Sequence, residues 1–308
     1  GLFAGYSAIR LFGYFGLAVG SLVQAANIEI TADFRPAVTD KNHNTFRNTT
    51  PIDGKAICIQ WPHFCHNKEA FSIALPFAPI QQPKTLLVGD ASRQGVYFKW
   101  PSKARKIEVI KVNQSGSQSK TVTFRVSAFG ATFKGITRNV YDWYSVSGNT
   151  RLHMPEPPCG YLGMAVGYHE FVTFLWETTL NDDVCVRRSL DERPAGSHYF
   201  ENFGIMYELK TPDPLAMGSG IYEGEKNFYI GEDKDIDFGD NFATEETVLT
   251  IKFTLTVHHD LKVTPEFGAE KVILVPQNGS QRGWDRYLNS GIKPTKLTGR
   301  SQFRLSSS

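Results

Sequence analysis

The chain has 308 residues, 41% hydrophobic and 21% charged, which describes a packed globular protein and excludes a disordered one. Its 33 Lys and Arg stand against 31 Asp and Glu, and a net charge of +2 lacks the basic excess that would make nucleic acid a general partner. With 22 Phe, 12 Tyr, 27 Gly and 16 Pro, the composition favours strands and turns and excludes a helical bundle. At roughly 150 residues per domain the length allows about two domains, although one large all-β domain absorbs much of it.

Chain order begins with an address. Arg10 precedes the uncharged, mostly apolar run Leu11–Val23, and small residues close it at Ala25 and Ala26. This is the pattern of a secretory signal, expected over residues 1–25 and cut after Ala25. The run of 13 residues is too short for a membrane span, which needs roughly 20. Export through an oxidising periplasm makes Cys58, Cys65, Cys159 and Cys185 legible as disulfides, with three pairings open. The sequence-local pairing, Cys58–Cys65 and Cys159–Cys185, is preferred to the crossed alternatives.

Strands are predicted at Ala56–Trp61, Ala70–Pro76, Leu86–Val88, Val96–Trp100, Ile107–Val112 and Thr121–Phe129. Thr121–Val126 alternates polar with apolar side chains, so one face meets a core and the other meets water. Its expected partner is Ile107–Val112, across a turn at Asn113–Ser119. Further strands are predicted at Leu162–Val166, Phe171–Glu177, Phe203–Glu208, Gly220–Tyr229, Thr247–His258 and Lys271–Val275. Only Trp284–Asn289 reads as helical, ended by Gly291 and Pro294. The fold class is therefore all-β, an antiparallel β-sandwich or partly closed barrel. Residues 26–291 form its body, with room for a second small β subdomain if the chain divides near 195–215. The polar residues 292–308 read as a linker to a further domain.

Few motifs carry chemistry. His63 and His66 flank Cys65, with Cys58 upstream, a spacing compatible with zinc, but cysteines in an oxidising compartment favour a disulfide. Gly231–Asp240 places Asp at alternate positions like the start of a calcium loop. Phe238 replaces the turn glycine there and Thr244 the bidentate Glu, so a charged hairpin loop is expected. Glu156, Glu170, Glu177, Glu201 and Glu208 are too scattered to define an acid/base pair. Nothing matches a nucleophile elbow, a zinc-protease motif or a phosphate-cradling loop, so neither an enzyme nor a cofactor is expected. The segment Tyr141–Arg151 combines aromatics with hydrogen-bonding groups, as a sugar site requires. Trp143 or Tyr144 would stack on a pyranose ring, while Asp142, Asn149 and Arg151 would bond hydroxyls or an acidic group. Trp100 with the basic run Lys103–Lys106 is a second exposed candidate.

The C-terminal third resembles the chaperone–usher fimbrial tip adhesins of enterobacteria. The resemblance rests on Gly231–Phe242, Phe253–Val263, Gly283–Pro294 and Phe303–Ser308, whereas residues 27–200 match only in strand character and cysteine use. It departs at Gln277–Arg282, where fewer residues are expected before Gly283-Trp284, so that loop reads as an insertion. The resemblance implies an immunoglobulin- or lectin-like adhesin domain whose receptor is a host-surface glycan or glycoprotein. It further implies a pilin domain after residue 308, completed by β-augmentation from a periplasmic chaperone and then a neighbouring pilus subunit at the usher. The expected location is the fimbrial tip. The alternatives are a structural tip or adaptor subunit without its own receptor, and a zinc-dependent binding protein using His63 and His66.

Overall fold

The computed structural model describes residues 23–35, 45–51, 57–60, 62, 71–81, 83–114, 116, 119–136, 153–167, 170–259, 261–265, 275–276, 297–299 and 303–307. The fold is all-β: among the described residues, a 12-stranded curled sheet dominated by antiparallel pairing and three two-stranded sheets. In chain order its strands are β1 (Ala25–Phe34), β2 (Arg47–Asn48), β3 (Phe71–Ala74), β4 (Ile80–Gln81), β5 (Val96–Phe98), β6 (Arg105–Lys111) and β7 (Lys120–Gly135). There follow β8 (Gly160–Gly167), β9 (Phe171–Glu177), β10 (Cys185–Arg187), β11 (His198–Lys210), β12 (Gly220–Tyr229), β13 (Phe242–Ala243) and β14 (Val248–Val257). The main sheet runs β13-β4-β11-β7-β6-β12-β14-β1-β2, with β9 and β8 beside the second half of β7 and β3 beside β11.

The expected hairpin forms, with Arg105 opposite Phe124 and Val109 opposite Lys120. Strand β7 outruns its prediction because it serves two neighbours in succession. Its first half pairs with β6, and from Ala128 onward it pairs with β9 instead. An irregularity opposite Met206 and Tyr207 leaves Ser127 without a register partner at this changeover. An extra residue of that kind bends and twists a strand, which suits a sheet that must curl.

The curl brings distant strands face to face. The Phe124 ring of β7 meets Phe253 of β14 at 5.5 Å, although β6 and β12 lie between those strands in the sheet. At the rim, Asn48 of β2 donates to the Tyr207 hydroxyl of β11 at 3.0 Å. The period-2 pattern read from Thr247–Val257 is what fills the interior: Leu249, Ile251, Phe253, Leu255 and Val257 are all buried. The larger of two core clusters among the described residues runs from Ala26 to Val257, and the smaller joins Ile57, Ala128 and Leu175.

Three expectations are corrected. Within the strand expected at Ala56–Trp61, Ile57–Gln60 forms instead a four-residue helix, α1. Ile57 is buried against Ala128 and Leu175 while Ile59 is exposed, an opposition that a strand, with i and i+2 on one face, does not permit. Leu86–Val88 is a turn: only Leu86 bridges, to Arg193, and Asp90 Oδ2 accepts the Leu87 N–H at 2.9 Å. Pairing is not uniformly antiparallel, since β1 runs parallel to β14 from Ala25↔Val248 to Phe34↔Val257. No hairpin constrains two strands so far apart in sequence, so either direction is open to them. The expected cleavage point after Ala25 falls at the first residue of β1.

Cys159 and Cys185 form a disulfide, as the local pairing required. Cys58 on α1 is also disulfide-bonded, and Cys65 lies outside the described residues. Within 292–308, Leu297–Thr298 (β17) and Phe303–Ser307 (β18) pair with Val275–Pro276 (β16) and Leu261–Pro265 (β15). The predicted helix at Trp284–Asn289 lies outside the described residues. No helix among the described residues is long and apolar enough to cross a membrane.

Candidate functional site

The segment after β12 lines an open polar cavity. Gly231–Asp240, expected as a charged hairpin loop, is a charged loop between β12 and β13, which pair with β14 and β4 and not with each other, and its alternating carboxylates divide by role. Asp237 is 2% exposed and receives a two-pronged bond from Arg93, Nη1 to Oδ2 at 2.7 Å and Nη2 to Oδ1 at 3.1 Å. The same carboxylate accepts the backbone N–H of Asp233 at 3.0 Å and of Gly239 at 2.9 Å. Burial pushes its pKa up, but the Arg93 bond and the backbone donors outweigh that, and the carboxyl sits below its ordinary value of 3.8. The bond to Asp237, set against partial burial and joined by Asp240, holds the Arg93 guanidinium firmly protonated. Asp237 is thus a structural counter-ion and not a metal ligand. No group of metal-ligating side chains assembles among the described residues.

The rest of the loop is fastened as firmly. The backbones of Lys99 and Asp237 exchange hydrogen bonds at 2.8 and 3.1 Å. Arg93 Nε donates to Asp240 at 3.0 Å, and its guanidinium lies 5.1 Å from the Tyr97 ring centre. Asn241 donates to the carbonyls of Gln94 and Gly95. Ile236 and Phe238 insert into the core on either side of Asp237. Gly239 has φ +71°, and a Cβ there would lie 2.8 Å from the Arg93 carbonyl and from Tyr97 Cβ, so only glycine fits.

Outward from this anchor lies an open groove of about 370 Å³. Tyr229, the last residue of β12, presents a ring that is 53% exposed. Asp233, Lys234 and Asp235 come from the loop, Lys99 follows β5, Arg105 opens β6, and Asp182 comes from the turn before β10. Asp182 is itself held in place, accepting Arg105 Nη1 at 2.9 Å and the Lys103 N–H at 2.8 Å. Burial raises its pKa, and those donors more than offset the rise, so it stays ionised below the usual carboxylate range. An exposed aromatic ring beside fixed carboxylates and ammonium groups is the chemistry that grips a sugar: a ring face for its C–H side and polar atoms for its hydroxyls.

The sequence pointed elsewhere. Asp142, Trp143, Tyr144, Asn149 and Arg151 lie outside the described residues, as do His63 and His66. Trp100, expected to be exposed, is 1% exposed and packs on Phe129, Phe203 and Phe238, because β5 turns it inward with Phe98. Its basic neighbours fare better, since Arg105 reaches the groove. The scattered glutamates stay apart: Glu156 pairs with Arg188, Glu201 with Lys134 and Glu208 with Arg125. Tyr229 was missed; its place beside Phe228 at the end of a predicted strand, just before the charged loop, was a usable signal. No family model matches the chain, and no curated protein or solved structure does so either.

Proposed function

We propose that the chain is the receptor-binding region of a chaperone–usher fimbrial tip adhesin, which attaches bacteria to host or other surfaces by holding glycan in the groove around Tyr229. The observation that carries this reading is the exposed Tyr229 at the end of β12, beside a loop whose backbone is fixed from behind by Arg93 and Asp237. A preformed site loses little ordering entropy on binding, so a shallow groove still yields useful affinity. The all-β fold and the Cys159–Cys185 disulfide suit an exported protein. Many pili bearing one such site each raise weak individual binding by multivalency. In this reading the chaperone, the usher and the neighbouring subunit engage a pilin domain beyond residue 308, and the fimbrial tip is the place of action.

The test is a broad glycan array probed with the purified chain and with Tyr229→Ala, each with and without EDTA. A confined set of hits that Tyr229→Ala abolishes supports the groove. Hits lost in EDTA move the mechanism to the zinc reading through His63 and His66. A blank array from folded protein moves it to a structural tip subunit.

A further inference from the structure

The main sheet carries a second surface, at the seam where its curl does not close. Strands β1 and β3 stand on the two sides of that seam, and an open groove of about 810 Å³ runs between them. At one end side chains bridge it: the Tyr207 hydroxyl of β11 accepts from Asn48 and donates to Thr50, each at 3.0 Å. Elsewhere both walls present unused backbone. Thr31 of β1 turns its N–H to Thr50 Oγ1 at 3.0 Å and its carbonyl to the Thr49 N–H at 2.9 Å, away from β14. Alternate residues of a parallel strand bond to the same side, so Asn27 and Glu29 also turn their N–H and carbonyl groups away from β14. The β2 register, carried on from Asn48, sets Pro51 opposite Glu29, and proline has no N–H to continue the ladder. Across the groove, Leu75 donates to the Phe203 carbonyl of β11, so the neighbouring Ala74 points its backbone groups the other way. Among the described residues no hydrogen bond joins Asn27 or Glu29 to that wall.

The lining says what fits. Ile73 and Leu75 are buried, Ile28 is half-buried, and the three give the groove an apolar floor. Glu29 is exposed and supplies the lining's one charge among the described residues. Its carboxylate accepts the Thr254 hydroxyl at 3.0 Å but has no ion pair among the described residues, since its register neighbour Lys252 is drawn to Glu223 at 3.2 Å. A strand laid along β1 sends alternate side chains in towards that floor and the ones between out beside Glu29. A gap walled on both sides admits one bare segment and excludes a strand with a sheet behind it.

We infer that the seam is a docking groove for a single extended segment of a partner protein, with apolar side chains at alternate positions and a Lys or Arg set beside Glu29. Main-chain hydrogen bonds to the free edge of β1 hold the segment, and its apolar and cationic side chains select it. The inference goes beyond the glycan reading and does not depend on it.

The test is hydrogen–deuterium exchange and calorimetric titration of the whole chain with a capped synthetic peptide, Thr-Val-Lys-Val-Lys-Val-Thr, and its counterpart with Glu for Lys. In the chain alone the Asn27 and Glu29 amides should exchange fast and those of Ile28 and Ile30 slowly, and the lysine peptide should protect the first pair. Asn27→Pro removes one edge donor without touching the β14 ladder, and it should weaken the peptide about tenfold. Glu29→Lys, on an exposed side chain, should reverse the preference between the two peptides, moving each by about threefold. Both variants are checked for unchanged thermal unfolding. Binding unmoved by both variants, or no binding of either peptide, overturns the docking groove. Slow exchange of Asn27 and Glu29 in the chain alone overturns the open edge, and the oligomeric state then tells whether its own chain or a second copy covers it.

Discussion

The aromatic hub around Phe98 and the groove around Tyr229 are built from neighbouring residues and behave in opposite ways. Phe98 is fully buried and within 6.3 Å of seven other aromatic rings, including Phe129, Trp176, Phe200 and Phe242. The next residue, Lys99, lines the groove. Phe228 is buried against Phe124, and the next residue, Tyr229, is half exposed. In the loop, Ile236, Asp237 and Phe238 face inward while Asp233 and Lys234 face out. The groove is therefore the outer side of the same backbone whose inner side is the hub. It owes its fixed shape to the packing behind it together with the Arg105–Asp182 pair in its own lining.

The largest effect is expected from breaking the hub. Phe98→Ala should cost about 3–5 kcal/mol in urea unfolding, and sugar binding should weaken with it. A loss near that size with binding intact would show that the groove does not lean on the hub. Replacing Cys159 and Cys185 together by Ser frees a loop of separation 26, at a cost of about 3.5 kcal/mol. Because β10 pairs only with β5 among the described residues, this double variant should disturb the chain leading to Lys99. Proteolysis of the 153–187 region reads that out.

Arg93→Met tests the pin between hub and groove. It strands a buried Asp237 carboxylate, at a cost of about 3 kcal/mol, and adding Asp237→Leu should restore part of the loss. Proton linkage probes the same contact more gently. The Asp237 carboxyl is held below its ordinary value in the folded chain, so the unfolded chain binds protons more readily. Its contribution is therefore complete above pH 3.8 and fades as the pH falls from there towards the depressed value. Arg93→Met should flatten that part of a stability–pH curve. Tyr229→Ala should change stability least, within about 0.5 kcal/mol, because the ring is largely outside. Sugar binding should nevertheless disappear, and unchanged binding would detach the ring from function.

Much of the fold was legible because strand alternation is a local signal. The β6–β7 hairpin, β12 and β14 could be read from residues a few places apart, and the Cys159–Cys185 bond matches the sequence-local pairing. Strand β1 carries the same local signal, Ile28, Ile30, Ala32 and Phe34 alternating with polar residues, and it lies beside the expected cleavage point without having been predicted. The helical turn at Ile57–Gln60 was misread because four residues with two isoleucines satisfy either period.

The sequence by itself determined an all-β chain, the faces of its long strands and the turn-like nature of Gly231–Asn241. Only the tertiary structure decided that β1 lies parallel to β14, that Trp100 is core, and that Asp237 belongs to Arg93, 144 positions away. Alternation says which side chains share a face, but it carries no information about which distant face they meet. The groove belongs to that second class. Lys99, Arg105, Asp182 and Tyr229 share no motif, and they come together only because the tertiary fold brings the end of β5, from the small β5–β10 sheet, to the ends of β6 and β12 in the main sheet.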